Sequence, residues 1–192
     1  MEYTFEGITI CQHPGIEQYF PQIINDFNRI IELGTYSGGL SLYLHRIKND
    51  NTELITYDCT LRNYAVPEEQ AIIDRRFGNF AEKAYQEEIG KLISDPLKKV
   101  LVLCDGDDKN VELNIFCKYL KEGDVIMTHD YAESDEDWHK HTDPIGWYYS
   151  YEPFGSCYDK IKISIDEGYI EKYKMYDEFK SVLWGAFTKP IN

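Results

Sequence analysis

Arg29-Ile30-Ile31-Glu32-Leu33-Gly34-Thr35-Tyr36-Ser37-Gly38-Gly39-Leu40-Ser41 decides how this chain is read. An apolar pair runs into an acid, glycines follow at 34, 38 and 39, and Leu40-Ser41-Leu42-Tyr43-Leu44 can open a helix. The pattern is that of a buried strand, a tight turn and a helix N-terminus. Glycine has no Cβ to obstruct a ligand approaching the backbone N–H groups of such a turn. The spacing G-x-x-x-G-G fails the dinucleotide fingerprint G-x-G-x-x-G, and no Gly-Lys-Ser/Thr follows as a P-loop would require.

Outward from this turn, apolar runs alternate with helical spacing. Ile16, Phe20, Ile23, Ile24 and Phe27 predict a helix before the first strand, which is expected at 28–33. Thr4 to Ile10 reads as an edge extension, and Gln12-His13-Pro14-Gly15 as a turn, with His13 a candidate to line a cleft. Glu53–Asp58 is the second strand, Arg76–Phe80 a short third, Lys98–Cys104 a fourth and Val125–Thr128 a fifth. The helix at 80–93 and the one from Asn110 to about Leu120 lie between them. The unbroken apolar run Val100–Cys104 suits a parallel strand covered on both faces. Tyr169–Phe179 and Ser181–Thr188 read as two closing antiparallel strands. The fold class expected is α/β, a Rossmann-like doubly wound seven-stranded sheet with an antiparallel last strand. One domain over 1–192 is expected, with the acidic 131–169 segment as a lid or substrate insertion.

Composition narrows the partners. The 192 residues carry Lys+Arg 20 against Asp+Glu 34, a formal charge of −14. Phosphate backbones are held by Lys and Arg, so nucleic acid is not an expected partner. Five cysteines with no C-x-x-C indicate neither a disulfide frame nor a zinc ribbon. No apolar run approaches the roughly 20 residues of a membrane span, and the acidic first residues lack a signal-peptide core. A cytoplasmic protein acting on a small neutral or cationic molecule is expected; oligomeric state is not readable.

Four expected strand ends carry acids: Glu32, Asp58, Asp105 and Asp130. In open α/β sheets ligands bind at these ends, so all four are expected around one crevice. Asp58 falls 19 residues after Gly39, about where a strand-two acid grips ribose hydroxyls. Asp105, Asp107, Asp108 and Asp130 would crowd beside His129. Two carboxylates about 4 Å apart cost roughly 4 kcal/mol at an effective dielectric near 20, a penalty that a divalent cation removes. Oxygen ligands favour Mg²⁺, Mn²⁺ or Ca²⁺ over zinc. Without a metal, Asp107 and Asp108 are turn residues and His129 hydrogen-bonds Asp105.

Ile31-Glu32-Leu33-Gly34-Thr35 with Gly38-Gly39 and Ser41 resembles the first motif of class I S-adenosylmethionine-dependent methyltransferases. More narrowly, it is similar to the cephalosporin-hydroxylase-like and macrolide sugar O-methyltransferase group. The resemblance implies the class I methyltransferase fold, S-adenosylmethionine as cofactor, and a small hydroxylated acceptor such as a sugar, polyol or phenol. It implies Glu32 near the methionine part, Asp58 on the ribose, and Gly34, Thr35, Gly38, Gly39 and Ser41 around the cofactor. Asn79 would reach the adenine with Phe80 packed on the ring; Asn79 as a helix N-cap is the competing reading. Asp105 would serve the cofactor side and, with Asp130 and His129, a metal. His129 is the expected base because imidazole titrates near neutrality. Asp108 is second, standing where that group has histidine; His139 and His141 lie farther off. Two alternatives stay open: a nucleotide-cofactor oxidoreductase, and a non-catalytic S-adenosylmethionine-binding protein.

Overall fold

The computed structural model describes residues 2–60, 73–80, 82–145 and 156–191. The chain begins with a hairpin, β1 (Tyr3–Phe5) and β2 (Ile8–Ile10), turned by Glu6 and Gly7 at φ 50 and 84°. The expected edge extension is therefore a separate two-stranded sheet. Helix α1 (Ile16–Ile23) and a 3-10 turn bury Ile16, Phe20, Ile23, Ile24 and Phe27, the spacing read from the sequence.

The main sheet takes β3 (Arg29–Leu33), β4 (Glu53–Asp58), β5 (Asp74–Phe77), β6 (Val100–Cys104), β7 (Val125–His129), β10 (Glu171–Lys172) and β11 (Trp184–Thr188). The spatial order is β10-β11-β7-β6-β3-β4-β5. Strands β3 to β7 pair in parallel, while β11 runs antiparallel to both β7 and β10. The expected seven strands and antiparallel close are both present. Helices α2 (Gly39–Ile47), α3 (Lys83–Ile93) and α4 (Lys109–Phe116) alternate with the strands, followed later by α5 (Asp135–Thr142) and α6 (Tyr158–Asp166). A two-residue parallel pair, β8 (Tyr131–Ala132) with β9 (Ser156–Cys157), leaves the end of β7.

Alternation along the strands sorts two cores. Ile30, Leu101, Leu103, Val125 and Met127 pack on one face with α1, α2 and the 174–182 segment. Ile31, Leu33, Val100, Val102, Cys104 and Ile126 pack on the other with α3, α4 and α6. Strands covered on both faces bury side chains of both parities, which is why β6 is apolar at every position and β3 at all but Arg29 and Glu32.

One expectation is corrected. Most of 169–179 is not strand: after β10, Lys174–Val182 holds two short 3-10 turns that meet at a kink at Tyr176, where φ is −115° and ψ 24°. Tyr176 at the kink and Phe179 and Val182 in the turn after it are buried, and the two in the turn are three residues apart, one 3-10 repeat. The 131–143 stretch, which begins the expected lid or substrate insertion, carries α5. Helix α5 is capped by the Ser134 side chain, which accepts from Asp137 N at 3.1 Å, and its Trp138 packs with Ala132 and Leu183. Replacing Ser134 by Ala should cost about 1 kcal/mol, which lowers the midpoint by roughly 3 °C in a thermal melt. The expected loop from 61 to 70 and the aromatic run at 147–151 lie outside the described residues. Among the described residues no helix is long and apolar enough to cross a membrane.

Candidate functional site

Strand order reverses between β3 and β6, and a cavity of about 200 Å³ opens there, above the carboxyl ends of β3, β4, β6 and β7. Gly34 forms its floor at φ 101°; a Cβ there would lie 2.3 Å from the Asp105 carbonyl oxygen. The loop is tied to its neighbours: Gly34 N donates to Tyr57 O at 2.8 Å and Asp105 N to Leu33 O at 2.8 Å. Tyr36, at φ 46°, donates its N–H to Asp58 Oδ2 at 2.8 Å, and Thr60 N donates to Asp58 Oδ1 at 2.8 Å. A carboxylate offers about four acceptor sites. Asp58 is thus fixed in place with acceptor capacity left over, and it lines the cavity.

The opposite wall is charged. His129 is buried, and its Nδ1 lies 2.9 Å from Asp105 Oδ1 and 3.4 Å from Asp130 Oδ1. Trp184, directly across the β7–β11 ladder from His129, holds the ring from below with centroids 5.0 Å apart. Trp184 Nε1 donates to Gln12 Oε1 at 3.0 Å, and Gln12 Nε2 donates to Asp105 Oδ2 at 2.5 Å. Asp105 and His129 are therefore oriented through a closed ring of contacts. Asp130 adopts φ 55°, an unusual conformation for a non-glycine residue. Strain of this kind persists where surrounding contacts enforce it, often at functional sites.

Lys109 also lines this wall, and the sequence reading passed it over. Its Nζ donates to Gly106 O at 2.8 Å and pairs with Asp130 Oδ2 at 3.2 Å. Burial alone would lower its pKa, but Asp130, Asp105 and Glu112 outweigh that and hold the ammonium above its ordinary range. Glu112, fully buried behind it, is pushed up to about 8 by burial, against a bond from Gly106 N and the nearby Lys109 charge.

The structure brings Gly34, Asp58, Phe80, Asp105, His129 and Asp130 to one cavity. Several other expected residues do not reach it. Glu32 is fully buried beneath the loop, accepting from Ser41 Oγ, and burial pushes its carboxyl up to about 8. It ends one residue short of the strand terminus, so its side chain faces α2 and not the crevice. Ser41 and Thr35, bonded to Glu32 and to Thr56 at 2.6 Å, support the turn from within. Gly38 and Gly39 open α2; a Cβ on Gly39 would meet Thr9 O at 2.2 Å, so the residue admits the β1–β2 hairpin and not a ligand. Asp108 is exposed and caps α4, accepting from Val111 N at 3.2 Å, which removes it as a base. Asn79 is exposed and outside the cavity lining, and α3 begins after Glu82, so Asn79 does not stand at the N-cap of that helix. His13 accepts from Gly15 N at 3.0 Å in the turn, while His139 and His141 of α5 pair with Asp143, just past its end, and with Asp137.

No family model and no curated protein matches this sequence. Solved structures do match. CmcI-N160 in its apo form superposes with TM-score 0.67 at 15% identity over 99% of this chain and 77% of that one. The cmcI-D160 structure with Mg and SAM gives 0.65 at 15% over 98% and 77%. This chain has the class I methyltransferase fold. An O-methyltransferase from Bacillus cereus in complex with SAH gives 0.50 at 13% over 92% and 81%. In the methyltransferase fold the cavity described above lies where the sheet order reverses, and the Gly34 turn follows its first central strand.

Proposed function

We propose that this chain is an S-adenosylmethionine-dependent methyltransferase that methylates a hydroxyl of a small acceptor, a sugar, polyol or phenol. The observation carrying this reading is Asp58. It is pinned by the Tyr36 and Thr60 amides at the mouth of the Gly34 turn, with acceptor capacity facing the cavity. Paired hydroxyls of a ribose suit such a carboxylate. Gly34 and Tyr36 would approach the rest of the cofactor, and Phe80 offers a face for its base. The cofactor supplies a methyl group on a sulfonium, and its cationic sulfur and ammonium suit an acidic rim.

On the acceptor side, His129 is the base this geometry favours. Carboxylates only accept, so its Nδ1–H points to Asp105, which fixes the ring. Asp105 also stabilises the imidazolium that forms when the ring takes the acceptor proton. A positioned base contributes about 10²–10⁴-fold. The neighbour solved with Mg and SAM raises a second reading, in which Asp105, Asp130 and His129 hold a divalent ion. Among the described residues, however, no group of three or more His, Cys, Asp or Glu side chains could hold a metal.

Isothermal titration with S-adenosylhomocysteine tests the cofactor half. Wild type should bind, and Asp58→Ala should weaken binding about 30-fold, the loss of a charge-assisted pair of hydrogen bonds. Absence of wild-type binding at millimolar ligand would remove the methyltransferase reading. The same fold without a base would still bind, so turnover of a hydroxyl library by wild type and not by His129→Ala separates an enzyme from a binding protein.

A further inference from the structure

We propose that the Lys109 ammonium is the resident cation of the acidic wall, standing where a divalent metal would otherwise sit between Asp105 and Asp130. Three observations carry this. Lys109 Nζ is already bound by Asp130 at 3.2 Å and by the Gly106 carbonyl at 2.8 Å, two oxygens a hard metal ion would want. The Nδ1 of His129 is turned toward both acids, 2.9 Å from Asp105 and 3.4 Å from Asp130. It therefore offers its proton to Asp105 and no lone pair to a metal, while Asp130 Oδ1 accepts no hydrogen bond. The second oxygen of Asp105 is taken by Gln12 at 2.5 Å. The residues present do not fit a divalent ion.

The placement of Lys109 is built by the fold. It is the first residue of α4, where acids are favoured and a cation opposes the helix dipole. Its side chain is nonetheless buried, with 9% exposure, among Asp105, Glu112 and Asp130. An ammonium is a compact point charge with three donors, so it can neutralise this cluster from a single stem. It cannot act as a Lewis acid on two substrate oxygens in the way a metal can. Activity of this site would then need no added divalent ion and would resist a chelator. That functional meaning rests on the methyltransferase reading; the occupancy of the anionic site does not.

Mn²⁺ binding to the full chain, followed by electron paramagnetic resonance, tests the proposal without any acceptor. Wild type and Lys109→Arg should bind Mn²⁺ no tighter than millimolar. Lys109→Ala, which vacates the site and leaves both acids, should bind about tenfold tighter or more. Micromolar Mn²⁺ binding by wild type that Asp130→Asn abolishes would overturn the proposal, since the ammonium would then have swung aside. A folded Lys109→Ala that gains no Mn²⁺ affinity would overturn it as well. Should the alanine variant fail to fold, wild type and Lys109→Arg decide alone. Titration with S-adenosylhomocysteine on the same samples separates the two ideas: loss of that binding with the Mn²⁺ pattern intact removes the methyltransferase reading and leaves Lys109 in place.

Discussion

Gly34→Ala should unseat both the fold and the cofactor site. The residue sits at φ 101°, where an L side chain is strained by about 1–3 kcal/mol. The new methyl would also lie 2.3 Å from the Asp105 carbonyl oxygen and 2.6 Å from Gly106 N. These are backbone atoms at the end of a central strand, so they cannot give way as a flexible side chain would. Overpacking of this kind adds about 1–3 kcal/mol more, for a total near 4 kcal/mol. Relief requires β3 and β6 to part at their carboxyl ends, which moves Asp105 and the Tyr36 amide together. Chemical denaturation should show the stability loss, and calorimetry should show S-adenosylhomocysteine binding weakened more than about 100-fold, since each 1.4 kcal/mol is tenfold. Wild-type stability with unchanged binding would mean that the turn is not the close approach described.

Glu32→Gln should remove a large part of the pH dependence of stability. The Glu32 carboxyl is raised from an ordinary 4.5 to about 8, chiefly by burial, with Ser41 and Thr56 pulling the other way. The folded state therefore holds this proton more tightly than the unfolded state does. Its contribution to stability is full below pH 4.5 and fades as pH rises, until it is lost near pH 8. Each unit costs about 1.4 kcal/mol, so roughly 4 kcal/mol disappears between pH 4.5 and 7.5. Gln keeps the shape and an oxygen for Ser41 but has no proton to lose. The two proteins should melt together at pH 5, while at pH 7.5 the variant should be the more stable by about 10 °C. Measuring the difference between them cancels the slopes of the other acids, Glu112 included. A variant that is weaker at every pH would show that Glu32 is held ionised and is needed as a charge.

The central strands were legible because Val100–Cys104 and the alternating apolar runs beside it admit few other readings. Asp58, Asp105, His129 and Asp130 were legible because strand ends in such a sheet face one crevice. Glu32 was misplaced by one residue of register: it precedes Leu33, and period two turns it under the loop. The 169–179 run reads as strand because its aromatic residues have β preference, and its short 3-10 turns leave no helical period long enough to see. Lys109 was passed over because a lysine at a helix start reads as surface. The available signal was its position, a cation at the wrong pole of a helix, directly after Asp105, Asp107 and Asp108. Gln12 carried no signal at all, since its partners lie 93 and 172 residues away.

Those two spans bear on how the protein matures. A nascent chain that has emerged only through β4 lacks Asp105, against whose backbone the Gly34 turn packs, so that turn waits for β6. The His129 wall needs residue 12 and residue 184 to find each other across nearly the whole polypeptide, a loop closure of high sequence separation. The crevice should therefore be completed in two stages, its glycine turn when β6 docks and its imidazole wall only when β11 does.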